Sequence, residues 1–557
     1  MKDTTKQSNK NILAGLFFAL VSVLISWQML LPGYILSLDM IFVPKLKVLF
    51  GAGMPHNTLL LKYVLNFANY LLPGWVIEKV MIFCLFFLIG FLSYRFLPAP
   101  KKYGLAFWAA IFYTATPFVY ERFLAGQWPL LFAYAFLPAL SFYLIRFFQN
   151  PDYKNAFWLF FWLFLISLFS IHFLAIASVV IFIYALYYLM ANLKNKNLVK
   201  NSVIKLSMVG VSLLVFSLYW LLPFIANFDN SVVIGFDEKN WQAFKTASDQ
   251  HLGTVLNVLA LYGFWGEAQP WVDYFLWPKD NFYFWVGLLA VILSLVAFGI
   301  CQSLKRPAKE KTVFFLLCGI LGFIFSCGVG ETIFKGFNQL LFNQLWFWPG
   351  FRDTEKWSGL LCLSYSYFAA FGLYVVLEKL SNKFAARLKY FIALVFLIPI
   401  LYTYPIWGGF SRQLKPVWFP ASWQQTNQLL NDDQSDFKVL FLPWHQYLSL
   451  GFNQKLITLN PAKEFFDREV IIGENMEIGE IFSQGGNELA NEIQTIIFSQ
   501  KDPDWQAKEL ASKGIKYVIL SHDLAALKNN PPLDLINSSF LKKVLEKEDL
   551  TLYRISL

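Results

Sequence analysis

Four stretches of this chain carry residue types and spacings that could do chemistry, and in three of them charge sits against strongly apolar sequence. The first is Pro32-Gly-Tyr-Ile-Leu-Ser-Leu-Asp39-Met-Ile-Phe-Val-Pro44, where Asp39 is the only carboxylate between Asp3 and Glu78. A carboxylate in apolar surroundings loses solvation, and its pKa rises toward the range useful for a general base. An Asp capping a short helix would give the same sequence. The second is Thr116-Pro-Phe-Val-Tyr-Glu121-Arg122-Phe-Leu-Ala-Gly-Gln-Trp128, which predicts a tight turn between two membrane spans. Its adjacent charges either snorkel and set helix depth or enter a buried site.

The third is Trp346-Phe-Trp-Pro-Gly-Phe-Arg352-Asp353-Thr-Glu355-Lys356-Trp357. An arginine fork matches phosphate bidentately, and a lysine adds a point charge. If a helix starts near Thr354, its first amides also favour an anion. Alternatively Asp353 or Thr354 caps that helix and the tryptophans form an interfacial belt. The fourth is the loop Trp265–Trp285, with Trp265, Trp271, Tyr274, Trp277, Tyr283 and Trp285 among Glu267, Asp273 and Asp280. Aromatic faces beside carboxylates suit sugar rings, and a membrane interface equally. The five histidines (His56, His172, His251, His445 and His522) share no zinc-ligand spacing. The five cysteines lie in or beside apolar segments and match no metal site.

The elements that position these residues must be solvated by lipid. Of 557 residues, 57% are hydrophobic and only 15% charged, with mean hydropathy +0.49; a soluble chain of this length needs far more charge. Apolar runs predict helical spans at about 12–32, 76–94, 104–120, 128–146, 156–171, 173–191, 203–225, 282–302, 312–328, 357–378 and 389–407. Connections holding Lys2, Lys6 and Lys10, Arg95 and Lys101, Lys194 to Lys205, Lys305 to Lys311, and Lys379 to Lys389 all fall on one side when spans alternate. The positive-inside rule makes that side the cytoplasm, the N-terminus included. The net charge of +10 is therefore topogenic, and nucleic acid is not an expected partner. The first span lacks a small-residue cleavage site and reads as a retained signal anchor.

With eleven spans the C-terminal region lies outside, giving a polytopic domain over 1–407 and an extracytoplasmic α/β domain over 408–557. There charge density rises. Phe437–Leu442, Tyr517–Leu520 and Leu550–Ile555 read as strands, and Asn487–Phe498 and Trp505–Lys513 as helices. No nucleotide-binding glycine loop is present.

Together these segments resemble the C-type (GT-C) polytopic membrane glycosyltransferase superfamily. Pro117-Phe-Val-Tyr-Glu-Arg-Phe-Leu-Ala-Gly-Gln-Trp and Gly350-Phe-Arg-Asp-Thr-Glu-Lys-Trp look like segments of bacterial and archaeal members related to large arabinofuranosyltransferases. Leu442-Pro-Trp-His445 and Gly514-Ile-Lys-Tyr-Val518 are similar to patterns in their exported domains. The resemblance implies a cytoplasmic-membrane enzyme that transfers sugar from a polyprenyl-phosphate-linked donor to an extracytoplasmic glycan, lipid or protein acceptor. It implies Asp39 as general base and Arg352, with Lys356 or Arg122, as the donor-phosphate group, and offers Glu121 as a second carboxylate. The first loop departs from the common pattern, with one acidic residue where an adjacent pair is usual. Some members use a divalent metal; the sequence leaves that open, along with a transporter or flippase of lipid-linked sugars and a non-catalytic assembly protein of the same fold.

Overall fold

Backbone in hydrocarbon must satisfy its own hydrogen bonds, so the apolar runs become helices. The computed structural model describes residues 2–48, 56–228, 238–269, 272–306, 309–478, 481–523 and 533–557. Its first half holds α1 (Lys2–Ser26), α2 (Leu59–Asn69), α3 (Gly74–Phe96), α4 (Leu105–Thr114), α5 (Pro117–Leu124), α6 (Trp128–Gln149), α7 (Tyr153–Phe169), α8 (Ile171–Ala191) and α9 (Lys196–Ala226). Short helices α10 (Glu238–Ala243), α11 (Gly253–Leu259) and α12 (Leu276–Asp280) lead to α13 (Phe282–Leu304), α14 (Glu310–Ser326), α15 (Lys335–Gln344), α16 (Ser358–Lys383) and α17 (Leu388–Tyr402).

Among the described residues seven helical segments are long and apolar enough to cross a bilayer: Gly74–Phe96, Trp128–Gln149, Ile171–Ala191, Lys196–Ala226, Phe282–Leu304, Thr354–Lys383 and Ala385–Tyr402. Lys10–Ser26 and Tyr153–Phe169 are shorter apolar helices. The expected span at 104–120 is interrupted: α4 stops at Thr114, and Thr116 and Pro117 start a new helix, with the Thr116 hydroxyl accepting the Val119 amide at 3.3 Å. Proline is favoured in a first turn because its missing N–H would be unsatisfied there anyway. Glu121 and Arg122 consequently lie on a fully buried short helix, not in a tight turn at an interface. Close packing of α13 on α16 depends on Gly299 and Gly372, where a Cβ would fall 1.9 Å from the Phe368 carbonyl oxygen and 2.4 Å from that of Leu295.

The strands of the C-terminal region are β1 (Lys438–Leu442), β2 (Tyr447–Ser449), β3 (Ile457–Leu459), β4 (Glu469–Ile471), β5 (Met476–Ile478), β6 (Ile481–Ser483), β7 (Ile515–Ser521), β8 (Leu541–Glu546) and β9 (Leu550–Ile555). The main sheet has the order β4-β1-β7-β9-β8, with β1 parallel to β4 and β7, and β9 antiparallel to β7 and β8. Two hairpins, β2–β3 and β5–β6, stand apart from it. Its helices are α18 (Ala421–Asp432), α19 (Ala462–Phe465), α20 (Glu488–Ile497) and α21 (Pro503–Ser512). The apolar core is continuous from the helical bundle through Phe419 and Trp423 to Val439 and Phe441. This continuity fixes the β2–β3 hairpin against the end of the bundle.

Candidate active site

Among the described residues the chain after α1 forms no helix before Leu59, so none is there for Asp39 to cap. Ser37 and Met40 pair through Met40 N–H to Ser37 C=O at 2.7 Å and Ser37 N–H to Met40 C=O at 3.1 Å, with Leu38 and Asp39 at the tip. Leu38 holds the left-handed φ of 37°, strained for a branched side chain. Contacts from three directions hold the turn there. Leu38 N–H donates to Ile457 C=O at 3.0 Å, and Leu459 N–H to Leu38 C=O at 2.8 Å. Asp39 N–H donates to Ala125 C=O at 3.2 Å, and the Ser37 hydroxyl to Leu124 C=O. From below, Glu78 Oε2 accepts the Ile35 amide at 3.0 Å and Lys79 Nζ at 3.1 Å.

Asp39 is open to solvent yet surrounded by protein mass, as in a side chain lining a recessed cleft. That enclosure raises its pKa. The Tyr447 hydroxyl, donating to Oδ1 at 2.8 Å, a Gln127 amide and the charges of Lys356 and Arg352 pull the other way. The Tyr447 phenol is itself pushed well above its ordinary pKa by burial and by Asp39, so it remains a donor. Arg352 stacks over the Phe244 ring at 4.4 Å, and burial lowers its pKa to about 10, which leaves it charged at neutral pH. Lys356 Nζ lies 3.7 Å from Asp353 Oδ2 and 3.4 Å from His172 Nε2, which is also 3.0 Å from Gly350 C=O. Arg352 and Lys356 therefore lie within electrostatic reach of Asp39 at this cleft.

Arg122 is not on that cleft. It is fully buried, between the rings of Phe118 at 5.8 Å and Phe264 at 5.0 Å. Nε donates to Glu355 Oε2 at 3.0 Å, Nη1 to Gln127 Oε1 at 2.8 Å and Asp353 Oδ2 at 2.5 Å, and Nη2 to Asp353 Oδ1 at 2.8 Å and to Glu355 Oε2. These bonds use all the N–H groups of a guanidinium. Burial would raise the Asp353 carboxyl, but Arg122 and Lys356 hold it down at about 2. Asp353 makes no capping bond, contrary to one sequence reading.

Glu121 is bound by backbone amides. Oε2 accepts the amides of Gly263 and Phe264 at 3.3 Å each, and Oε1 has no partner among the described residues. Burial, then Glu267 and Glu355, push its pKa well up, and its hydrogen bonds go to Gly263 and Phe264. The aromatic loop is mostly structural. Glu267 accepts the amides of Tyr274 and Phe275, while Trp277 and Trp285 donate to the carbonyls of Leu401 and Tyr402, each at 3.0 Å. Tyr283 is 90% exposed, and Trp271 lies outside the described residues. Of this set, Tyr274 feels the charge of Asp39.

Among the described residues no three His, Cys, Asp or Glu side chains converge as metal ligands. Among the described residues the charges that act most on Asp39 are Lys356 and Arg352, so a divalent ion there would meet one carboxylate and two positive charges. The donor set does not fit a metal there. Sequence reasoning missed Tyr447, Gln127 and Glu78 as parts of the site. Gln127 stood within a highlighted segment, whereas nothing local marks a tyrosine 408 residues from its partner.

The fold is that of a multi-pass membrane protein with a helical domain and a small α/β portion. The arabinofuranosyltransferase AftD from mycobacteria, seen by single-particle cryo-EM, is similar in fold with TM-score 0.59 at 15% identity over 98% of this chain and 40% of that one. Two structures of a single-residue variant of AftD give TM-scores of 0.57 and 0.56 at 14% and 13% identity, covering 98% of this chain and 41% of the other. The chain thus spans about two fifths of AftD. No protein family profile and no curated protein matches its sequence.

Proposed function

We propose that the chain is a glycosyltransferase of the cytoplasmic membrane that uses a polyprenyl-phosphate-linked sugar and works on the extracytoplasmic side. The observation that carries this reading is Asp39 facing Arg352 and Lys356 in one cleft. An acceptor hydroxyl next to Asp39 loses its proton to the carboxylate, whose Oδ1 also accepts from Tyr447. The hydroxyl oxygen bonds to the anomeric carbon as the bond from that carbon to the phosphate oxygen breaks. Arg352 and Lys356 stabilise the polyprenyl phosphate that departs. The raised pKa of Asp39 strengthens it as a base. Cations take the place a metal would fill, and no step passes through a metal.

Residues 408–557 would form the acceptor side of the cleft, as Tyr447 comes from there. Arabinofuranose is the first sugar to try, given the fold likeness to AftD. The test is transfer from synthetic farnesyl-phosphoryl arabinofuranose, and its mannose counterpart, by protein in lipid nanodiscs. Asp39→Asn and Asp39→Ala should abolish product at unchanged protein level. Product formation at the native rate by both variants refutes the base assignment.

A further inference from the structure

We propose that Arg122 is a positioning residue that holds the carboxylate half and the cationic half of the cleft in register. The proposal rests on the transferase reading and assigns a part to a residue that touches no substrate.

On the carboxylate side, Gln127 is tied twice to Arg122. Its amide N–H donates to the Arg122 carbonyl at 2.9 Å, and its side-chain Oε1 accepts Nη1 at 2.8 Å. An amide has one accepting and one donating end. With Oε1 spent on Arg122, the NH2 end is the one left for Asp39, whose pKa Gln127 lowers. Asp39 thus has Tyr447 donating to Oδ1 at 2.8 Å and Gln127, held by Arg122, close by.

On the cationic side, Asp353 and Glu355 both turn back to the same guanidinium. Their neighbours Arg352 and Lys356 are left partly accessible, within reach of Asp39. One planar fork therefore sets the spacing between base and cations. A buried ion cluster is poor evidence for stability alone, because apolar replacements of such clusters are often neutral. Register is what a five-donor plane supplies and a lysine point charge cannot.

The test compares Arg122→Lys, Gln127→Leu and Asp353→Asn in nanodiscs with farnesyl-phosphoryl arabinofuranose. The charged and titratable groups facing Asp39 among the described residues are Tyr447 from β2, Tyr274 before α12, and Arg352 and Lys356 before α16. Gln127→Leu should move the acid limb of the kcat/KM profile up by about one pH unit and leave the donor KM unchanged. Asp353→Asn should raise the donor KM and leave the limb in place. Arg122→Lys should do both, with kcat down about 100-fold, and adding Gln127→Leu to it should move the limb no further. Native limb and donor KM in Arg122→Lys, with only a lower melting temperature, overturn the proposal.

If Arg122→Lys does not fold, the neutralised cage Arg122→Met, Asp353→Asn, Glu355→Gln replaces it; native turnover by that variant has the same consequence. Stabilisation by farnesyl phosphate gives a readout without turnover. It should be present in the native protein and lost in the Arg122 variant and in Arg352→Ala. Should Asp39→Ala keep full activity, the base assignment fails; should the native protein transfer no sugar, the transferase reading fails; in either case this binding arm still decides the role of Arg122.

Discussion

Replacing Gly126 by alanine should cost activity out of proportion to stability. Gly126 has φ +72°, a left-handed conformation that disfavours alanine by roughly 1–2 kcal/mol. The larger effect is steric. A Cβ there would lie 2.2 Å from Met40 N, 2.3 Å from Ser37 O and 2.8 Å from Asp39 N, where ordinary contact begins at 3.4 Å. All three are backbone atoms of the turn that presents Asp39, so no side-chain rotation relieves the clash. The turn must retreat by about 1 Å, or the link between α5 and α6 must. A displacement of that size at a reacting group costs about 100-fold in rate. The assay is initial-rate transfer in nanodiscs beside a melting curve. Gly126→Ala should fold, melt a few degrees lower and turn over about 100-fold more slowly. Native kinetics in a folded Gly126→Ala would show that the turn does not position the base.

With Asp39 as the proposed base, the pH profile of kcat/KM should rise with pH through a pKa raised from the ordinary Asp value, because the enclosing protein disfavours its charge; Tyr447→Phe removes a bond to the ionised form and should move the limb higher. Burial and the neighbouring Glu267 and Glu355 raise the pKa of Glu121 on folding, so it takes stability away progressively as pH rises above its unfolded pKa of about 4.3. Glu121→Gln should therefore raise the melting temperature at pH 7 and flatten its pH dependence. Glu78→Ala strips the Ile35 amide and buried Lys79 of their acceptor and should destabilise by about 3–5 kcal/mol. Glu78→Leu with Lys79→Met should recover most of that in denaturant titration. Added EDTA should leave transfer rates unchanged, given the single carboxylate among cations; a chelator-sensitive rate restored by a divalent ion would contradict the donor-set argument.

Much of the architecture was legible because it depends on local composition. Lipid-length apolar runs can only be helices, and strand-like runs at Phe437–Leu442, Tyr517–Leu520 and Leu550–Ile555 correspond to β1, β7 and β9. The exception is instructive: the run at 104–120 is apolar throughout, but Thr116-Pro117 ends one helix and begins another.

The sequence by itself also determined which side chains were candidates, since ionisable groups beside apolar chain are few. Which of them face each other, only the tertiary structure decided. Arg122 and Arg352 are the same residue type in similar aromatic settings. One closes on Asp353 and Glu355, 231 and 233 residues away, and the other opens to the cleft. Asp39 meets Tyr447 across 408 residues because the β2–β3 hairpin docks on the first-loop turn. Solvation is a property of the local chain; charge pairing depends on where distant segments cross, and nothing near Asp39 in the sequence records that crossing.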